Sequence, residues 1–80
     1  MTRKKSLAFG PVLRSLRDER NLTQDELSEK MGIASPYISM LESSRRFPSL
    51  DVIFKLAEAL EIPASSIFSA IEERLKQDPE

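Results

Sequence analysis

Few side chains in this 80-residue sequence have the types and spacing that catalysis or metal binding needs. The sequence contains no Cys and no His, so it lacks the commonest general base and the thiolate and imidazole metal ligands. The acidic pairs Asp18-Glu19 and Glu72-Glu73 lie on amphipathic segments beside basic residues, a pattern that favours a solvated face over an acid–base pair. It also has no Gly-rich phosphate loop. We therefore expect no enzyme activity, no metal site and no cofactor.

A second group of side chains is suited to binding anions. Arg45 and Arg46 are adjacent, and Ser43 and Ser44 come directly before them. Two guanidinium groups can clamp phosphates or reach a guanine edge, and the hydroxyls add further donors. An ordinary charged loop is the alternative explanation.

Charge is distributed unevenly along the chain, although the net charge is only −1. Residues 1–20 carry six basic and two acidic side chains, whereas residues 47–80 carry three basic and seven acidic ones. Such a polarity can give one surface that faces nucleic acid. Arg3-Lys4-Lys5 would then form a flexible arm along it, or else a solvated tail. Apolar runs are too short for a membrane span or a secretory signal, which predicts a cytoplasmic protein with no membrane partner.

Apolar residues at helical spacing predict five helices that position these groups. The first ends at Asn21-Leu22, and it either begins near Gly10-Pro11, with proline at its first position, or has a distorted first turn. Ser49 is a cap for the fourth helix, and Glu61-Ile62-Pro63 separates it from a fifth at about Ala64–Lys76. The apolar stripes are Phe9, Leu13 and Leu16, then Leu50, Ile53, Leu56, Ala57 and Leu60, then Ile67, Phe68, Ile71 and Leu75.

The second and third helices have the clearest boundaries. Thr23-Gln24-Asp25-Glu26 matches a capping box, and Gly32 stands where a helix end favours a left-handed residue. Ser35-Pro36 then reads as a cap followed by proline at the first helical position. Two short helices joined by Gly32-Ile33-Ala34 have the geometry of a helix-turn-helix, although a short helical hairpin can also be plain scaffolding.

The residues themselves resemble a known family, the phage-repressor and Cro type (xenobiotic-response-element-like) of helix-turn-helix transcriptional regulators. The similarity runs from Phe9 to Leu60 without gaps, and the extension from Ile62 is similar to restriction–modification controller proteins, which are small homodimeric autoregulators. The motifs that carry it are Leu16-Arg17, Leu22-Thr23-Gln24-Asp25-Glu26-Leu27, Met31-Gly32-Ile33, Tyr37-Ile38-Ser39, Leu41-Glu42, Arg46 and Pro48-Ser49-Leu50.

The resemblance implies an all-α, compact five-helix domain of the lambda-repressor-like DNA-binding type, in which helices 2 and 3 form the helix-turn-helix. It divides the chain into a basic flexible arm (1–6), a DNA-binding domain (7–61) and a C-terminal helix for dimerisation with a frayed end (62–80). The implied function is sequence-selective regulation of transcription by a homodimer bound to a pseudo-palindromic operator in double-stranded DNA. A protein-interaction module of the antitoxin or anti-repressor type is the alternative. We expect no small-molecule effector, because there is no separate ligand domain.

The resemblance also indicates which residues meet DNA. The recognition helix, about Ser35–Ser43, would enter the major groove, and Gln24 would contact the phosphate backbone. Tyr37 would lie on the backbone or, alternatively, cover the edge of the core. The expected DNA-binding residues are Thr23, Gln24, Ser35, Pro36, Tyr37, Ser39, Met40, Ser43, Ser44, Arg45 and Arg46.

The base-reading positions depart from the usual chemistry of the family. Many members carry Gln, Arg, Lys or Asn there, which read bases bidentately, whereas this sequence has Ser35, Pro36, Tyr37, Ser39 and Met40. Serine can bond any base edge, and proline or methionine can contact a thymine methyl group. We therefore expect modest direct readout, with more selectivity from DNA shape or from the arginines that follow.

Two further sets of contacts are implied by the resemblance and by the apolar stripes. Arg17 and Glu42 stand where similar domains have a structural ion pair between the first and third helices. The fifth helix has an apolar stripe with little remaining domain to cover it, which predicts a homodimer; the alternative is that this helix folds back entirely onto its own chain. The expected interface residues are Val52, Phe54, Ile67, Ile71 and Leu75.

Overall fold

The part of the chain that the structure describes forms five α-helices in a computed structural model. The structure describes the backbone of residues 2–77 and the side chains of residues 7–77. The helices are α1 (Thr2–Glu19), α2 (Gln24–Met31), α3 (Ser35–Glu42), α4 (Leu50–Leu60) and α5 (Ala64–Gln77). The predicted all-α, five-helix architecture is confirmed. Among these helices none is both long and apolar enough to cross a membrane. Asp78–Glu80, at the predicted frayed end, lie outside the described residues.

One core joins all five helices. Helix α1 packs against α3 and α5, α2 packs against α3 and α4, and α4 also contacts α5. Each buried residue removes apolar surface from water, worth about 1.5–3 kcal/mol for a fully buried large side chain. The members of the core are Phe9, Leu13, Leu27, Met31, Ile38, Leu41, Ile53, Leu56, Ala57, Leu60 and Ile67.

Helix α1 begins earlier than the sequence indicates. It starts at Thr2, so Pro11 lies in its interior, and the first of the two alternatives, a start near Gly10-Pro11, is wrong. An interior proline costs about 3 kcal/mol. Phe9 and Leu13 flank it and are 4% and 1% exposed, so burial of these two residues offsets that cost. The backbone of residues 2–6, expected as a flexible arm, is helical, and the side chains of Arg3-Lys4-Lys5 lie outside the described ones.

Four helix ends share one hydrogen-bonding pattern, in which a residue with positive φ reverses the chain. At each end an amide donates to the carbonyl five residues earlier: Leu22 to Arg17, Ile33 to Ser28, Arg45 to Met40, and Ile62 to Ala57. This pattern is the Schellman motif, and glycine is its usual left-handed residue. Here only Gly32 is glycine, whereas Asn21, Ser44 and Glu61 have φ of 57°, 65° and 60°.

Candidate nucleic-acid interface

The sequence of α2 and α3 fixes both the ends of these helices and the turn between them. Thr23 Oγ1 accepts from the Glu26 amide at 3.0 Å, and the Thr23 amide donates to Glu26 Oε1 at 2.8 Å, which completes the predicted capping box. Gly32 takes the left-handed conformation at φ 71°, as expected. The cap of α3 is one residue earlier than predicted: Ala34 is the N-cap, without a side-chain bond, and Ser35 is already helical.

Core contacts anchor one side of this helix pair. Leu27 of α2 and Ile38 and Leu41 of α3 are fully buried. Because helical positions recur every 3.6 residues, burial of Ile38 and Leu41 leaves the opposite side of α3 towards solvent. The exposed side therefore has a fixed orientation relative to α1 and α2.

A buried polar network connects α1, α2 and α3. Arg17 Nε donates to Glu42 Oε2 at 2.6 Å, and Arg17 Nη2 donates to Glu42 Oε1 at 3.1 Å. Gln24 Nε2 donates to the same Oε1 at 3.0 Å, and Arg17 Nη1 donates to the Leu22 carbonyl at 2.7 Å. The Glu42 side chain is 6% exposed and that of Arg17 is 11% exposed. The geometry agrees with the expected Arg17–Glu42 pair and adds Gln24 to it.

The network holds α3 by charge-assisted bonds, not by apolar contact alone. The hydrogen bond from Arg17 to Glu42 raises the pKa of Arg17, burial lowers it, and the charges of Glu42 and Asp18 raise it further. The net shift is upward, so the guanidinium keeps its charge at every pH at which a protein of this kind is handled. Two geometrically matched bonds between a planar guanidinium and a carboxylate also fix orientation. The C-terminal end of α3 is thereby tied to α1.

The solvent side of α3 carries hydroxyl and apolar groups. Ser39 and Pro36 are exposed, and Ser35 and Met40 are half-buried. Ser35 and Ser39 are four residues apart, as are Pro36 and Met40, so a hydroxyl row and an apolar row run side by side. Tyr37 is half-buried and packs against the core, which agrees with its alternative role at the core edge.

Gln24 lies at the first position of α2, where free backbone amides favour an anion. Its side-chain nitrogen is bonded to Glu42, so one amide proton of the two is left for a phosphate. Asp25 and Glu26 in the same turn place negative charge beside it. Gln24 can therefore serve as a weak phosphate ligand, and it is also part of the network that orients α3.

The loop after α3 presents the two adjacent arginines. The Arg45 and Arg46 amides both donate to the Met40 carbonyl, at 2.9 and 3.3 Å, so the loop folds back onto the end of α3. Both side chains are exposed. The two arginines thus lie just beyond the C-terminal end of α3, with their side chains in solvent. Ser43 is exposed, with its hydroxyl 3.3 Å from the Met40 carbonyl.

Gly10 is a helix-packing position next to the end of α3 that sequence reasoning missed. A Cβ at Gly10 would lie 2.4 Å from the Glu42 carbonyl oxygen and 2.8 Å from Ser44 Oγ. Only glycine allows α1 to approach the end of α3 this closely. Its position just before Pro11 made it look like a helix start, because the close approach involves residues far away in sequence.

The expected dimer-interface residues fall into two groups. Ile67 is 1% exposed and belongs to the core of its own chain, so it offers no surface to a second copy. Val52 and Ile71 are half-buried against that core, and Leu75 is half-buried, whereas Phe54 is 56% exposed. Other large exposed apolar side chains, which the sequence did not single out for this role, are Leu7, Phe47, Leu50 and Phe68.

Acidic side chains do not converge on a metal site in the part of the chain that the structure describes. None of the described residues form a group of three or more Asp or Glu side chains placed to hold a metal ion. Asp18 instead lies 3.4 Å from Arg17 Nη1. Glu42 is occupied by the network described above.

Comparisons with known proteins agree with this geometry. Residues 13–67 match the model of the helix-turn-helix family. The HTH-type transcriptional repressor RghR of Bacillus subtilis is 46% identical over 57 residues, which are 70% of this chain and 42% of that protein. The immunity repressor protein of Bacillus phage phi105 is 36% identical over 61 residues, covering 76% of this chain and 42% of that protein. The chain thus spans about two fifths of the length of these curated relatives.

Solved structures show the same fold. The restriction-modification controller protein C.AhdI from Aeromonas hydrophila has a TM-score of 0.75 and 35% identity, over 78% of this chain and 94% of that one. The clp gene regulator ClgR from Corynebacterium glutamicum has a TM-score of 0.83 and 25% identity, over 89% and 92%. The match to the family model covers more than half of the chain, and the relatives bear the names of transcriptional regulators. This chain is therefore a member of the helix-turn-helix family of transcriptional regulators.

Proposed function

We propose that this protein is a sequence-selective, double-stranded DNA-binding transcriptional regulator that acts as a homodimer on a pseudo-palindromic operator. The observation that carries the proposal is the fixed orientation of α3. Arg17 of α1 and Gln24 of α2 both bond to Glu42 at the end of α3, and the side of α3 opposite its buried residues faces solvent. Helix α3 then enters the major groove, where the N-terminal part of a recognition helix meets base edges. The family membership supports this placement.

Phosphate binding is assigned mainly to the loop after α3. Arg45 and Arg46 are exposed and bonded through their amides to the end of α3, so they would flank a groove that holds this helix. Gln24 contributes a weaker contact at the start of α2. Because the solvent side of α3 carries no charged group between Ser35 and Leu41, the arginines supply most of the electrostatic attraction near the recognition helix.

Salt dependence tests the phosphate contacts. Affinity falls with log salt with a slope of about −0.9 per phosphate contact, so losing one arginine from each of two protomers flattens the slope by about 1.8. Between about 50 and 200 mM salt, that difference changes affinity about 12-fold. We expect Arg45→Gln and Arg46→Gln to show this flattening. Arg74→Gln, an exposed arginine on α5, is the matched control and should leave the slope unchanged.

The proposed selectivity is tested first by selecting bound duplexes from a random pool. We expect a motif of two inverted half-sites whose centres are about 34–36 Å apart, one DNA turn. Recovery of no motif, together with salt-independent weak binding, would contradict DNA recognition and favour a protein-interaction module of the antitoxin or anti-repressor type. The observation that favours this second function is the absence of charged or amide side chains from Ser35 to Leu41 on α3.

The homodimer is assigned to three exposed apolar side chains, Phe47 in the loop before α4 and Leu50 and Phe54 on α4, which are called the stripe below. These side chains are 61%, 62% and 56% exposed, and Leu50 and Phe54 lie one helical turn apart on α4. Phe47 follows Arg46 directly in sequence, so a two-fold contact through this stripe brings the arginine loops of both protomers to the centre of the operator. A free monomer would leave all three side chains in water.

Sedimentation tests this interface. Burial of each Phe54 side chain in the dimer contributes about 1–1.5 kcal/mol, and a two-fold dimer buries two of them. Phe54→Ala should therefore weaken dimerisation by about 30- to 150-fold. The matched control is Leu7→Ala, since Leu7 is 50% exposed on α1 and lies outside the stripe. A wild-type protein that sediments only as a 9.1 kDa monomer at micromolar concentration would contradict the homodimer.

A further inference from the structure

We propose that α3 recognises its DNA through the C5-methyl groups of thymine, with Pro36 and Met40 as the residues that contact them. The inference rests on the proposed DNA-binding function and names the chemical feature that this site reads. Three observations carry it: the composition of the exposed side of α3, the confinement of Glu42, and the hydrogen bond that occupies Gln24.

The first observation is the chemistry of the exposed side. Pro36 is exposed and Met40 half-buried, and they are four residues apart on one edge of the helix. Ser35 and Ser39 occupy the neighbouring edge. Serine bonds to any base edge and so discriminates little, whereas the thymine methyl is the one apolar group that a base pair in unmodified DNA presents in the major groove. An apolar row on the groove-facing side therefore matches thymine.

The second observation removes the charged alternative on α3. Glu42 is the one acidic residue in this helix, and glutamate can accept from the cytosine amino group. Its side chain is 6% exposed, and its oxygens accept three hydrogen bonds from Arg17 and Gln24. A carboxylate held in this way does not reach a base.

The third observation removes the amide alternative. A glutamine reads adenine through two bonds that use both its amide nitrogen and its amide oxygen. Gln24 Nε2 lies 3.0 Å from Glu42 Oε1, so the side chain is turned towards the network inside the helix-turn-helix. Gln24 therefore does not present both atoms to one base, and the apolar row remains as the selective feature of α3 itself.

The test combines base analogues with protein variants. Half-sites are first selected from random duplex DNA, and each thymine in turn is then replaced by uracil, which removes only the methyl group. We expect at least one thymine per half-site whose replacement lowers affinity about fourfold, and about 15-fold when both half-sites are changed. Uracil at thymines outside the half-sites is the DNA control and should change affinity less than twofold.

Protein variants assign the methyl contact. In Met40→Ala or Pro36→Ala the difference between thymine and uracil should vanish at one position, because the apolar partner has gone. Met40→Leu should preserve it, and so should Ser39→Ala, the matched control on the neighbouring edge. Circular dichroism of each variant shows whether it is folded, which separates loss of the methyl effect from loss of the folded structure.

The possible failures are distinguishable. Selected half-sites that show no uracil effect at any thymine, or an effect that survives in both Met40→Ala and Pro36→Ala, overturn the methyl readout and leave the DNA-binding function standing. Failure to select any duplex overturns the proposed function and, with it, this inference.

Discussion

Replacing Glu42 by glutamine tests whether the buried network holds α3 in place. The change keeps the shape of the side chain but removes its charge and turns one acceptor oxygen into a donor group. Three donated bonds, at 2.6, 3.1 and 3.0 Å, converge on the two oxygens of Glu42, so a donor NH₂ group in place of one oxygen would oppose at least one of them. Arg17, whose side chain is 11% exposed, would lose its buried counter-charge and keep only the exposed carboxylate of Asp18, 3.4 Å from Nη1.

The expected cost follows from the burial of both partners. Breaking a buried ion pair from one side costs about 3–5 kcal/mol, whereas an exposed pair is worth less than about 1 kcal/mol. A domain of this size has a free energy of unfolding of about 4–12 kcal/mol, so Glu42→Gln should remove a large share of it. Each kcal/mol lowers the Tm of a small domain by about 4–8 °C, which predicts a fall of at least about 12 °C.

The assay is thermal and urea unfolding of the wild type, Glu42→Gln, Arg17→Met and the double variant. Glu58→Gln, on the exposed surface of α4, is the matched control and should shift stability by less than about 0.5 kcal/mol. The double variant should recover part of the loss, since no unpaired charge remains. A Glu42→Gln protein that unfolds within about 2 °C of wild type would refute the reasoning, because the ion pair would then behave as a surface pair.

Three further predictions concern the helix packing and the charge of Arg17. Gly10→Ala should lower the free energy of unfolding by about 1–2 kcal/mol in urea titrations, because the new Cβ would lie 2.4 Å from the Glu42 carbonyl oxygen and this overpacking exceeds the gain in helix propensity of about 1 kcal/mol. A higher Tm would show that α1 and α3 separate freely. Glu61→Gly should raise the free energy of unfolding by about 0.5 kcal/mol in the same titration, since Glu61 has φ 60° at the end of α4 and glycine relieves that strain at some entropic cost. A loss of stability would contradict the strain. The pKa of Arg17 is raised in the folded protein, so the stability it provides is present below its unfolded pKa and is lost only as pH rises through the still higher folded pKa. The loss of unfolding free energy in Arg17→Met should therefore be the same at about pH 7 and about pH 10. A loss that shrinks over this range would mean that Arg17 gives up its proton there, which contradicts a raised pKa.

Local signals in the sequence predict much of this fold. The capping box at Thr23, the left-handed Gly32 and the Ser49 cap of α4 all form as expected, with the Val52 amide donating to Ser49 Oγ at 3.2 Å. Each of these depends on residues within a few positions of one another. The same is true of the apolar stripes, because a helix repeats every 3.6 residues.

Features that depend on distant contacts were not predictable in this way. Pro11 argues locally for a helix start, but packing of Phe9 and Leu13 carries α1 through it. Ile67 was expected at the dimer interface, but α5 packs on α1 and α4 and Ile67 is buried in the core of its own chain. Gln24 has no partner near it in sequence, and its bond to Glu42 arises only when α2 and α3 meet.

Chemical-shift mapping of the labelled protein on a selected duplex tests most directly whether the α2–α3 face meets DNA. We predict that the backbone amide signals of Gln24, Ser35, Tyr37 to Met40, Arg45 and Arg46 shift on addition of the duplex. The amide signals of Glu72 and Glu73 on α5 should not shift. A scrambled duplex of equal length should give smaller shifts, and only in the loop that contains Arg45 and Arg46. Shifts confined to α4 and α5, with none in α3, would contradict the assignment of α3 as the recognition helix.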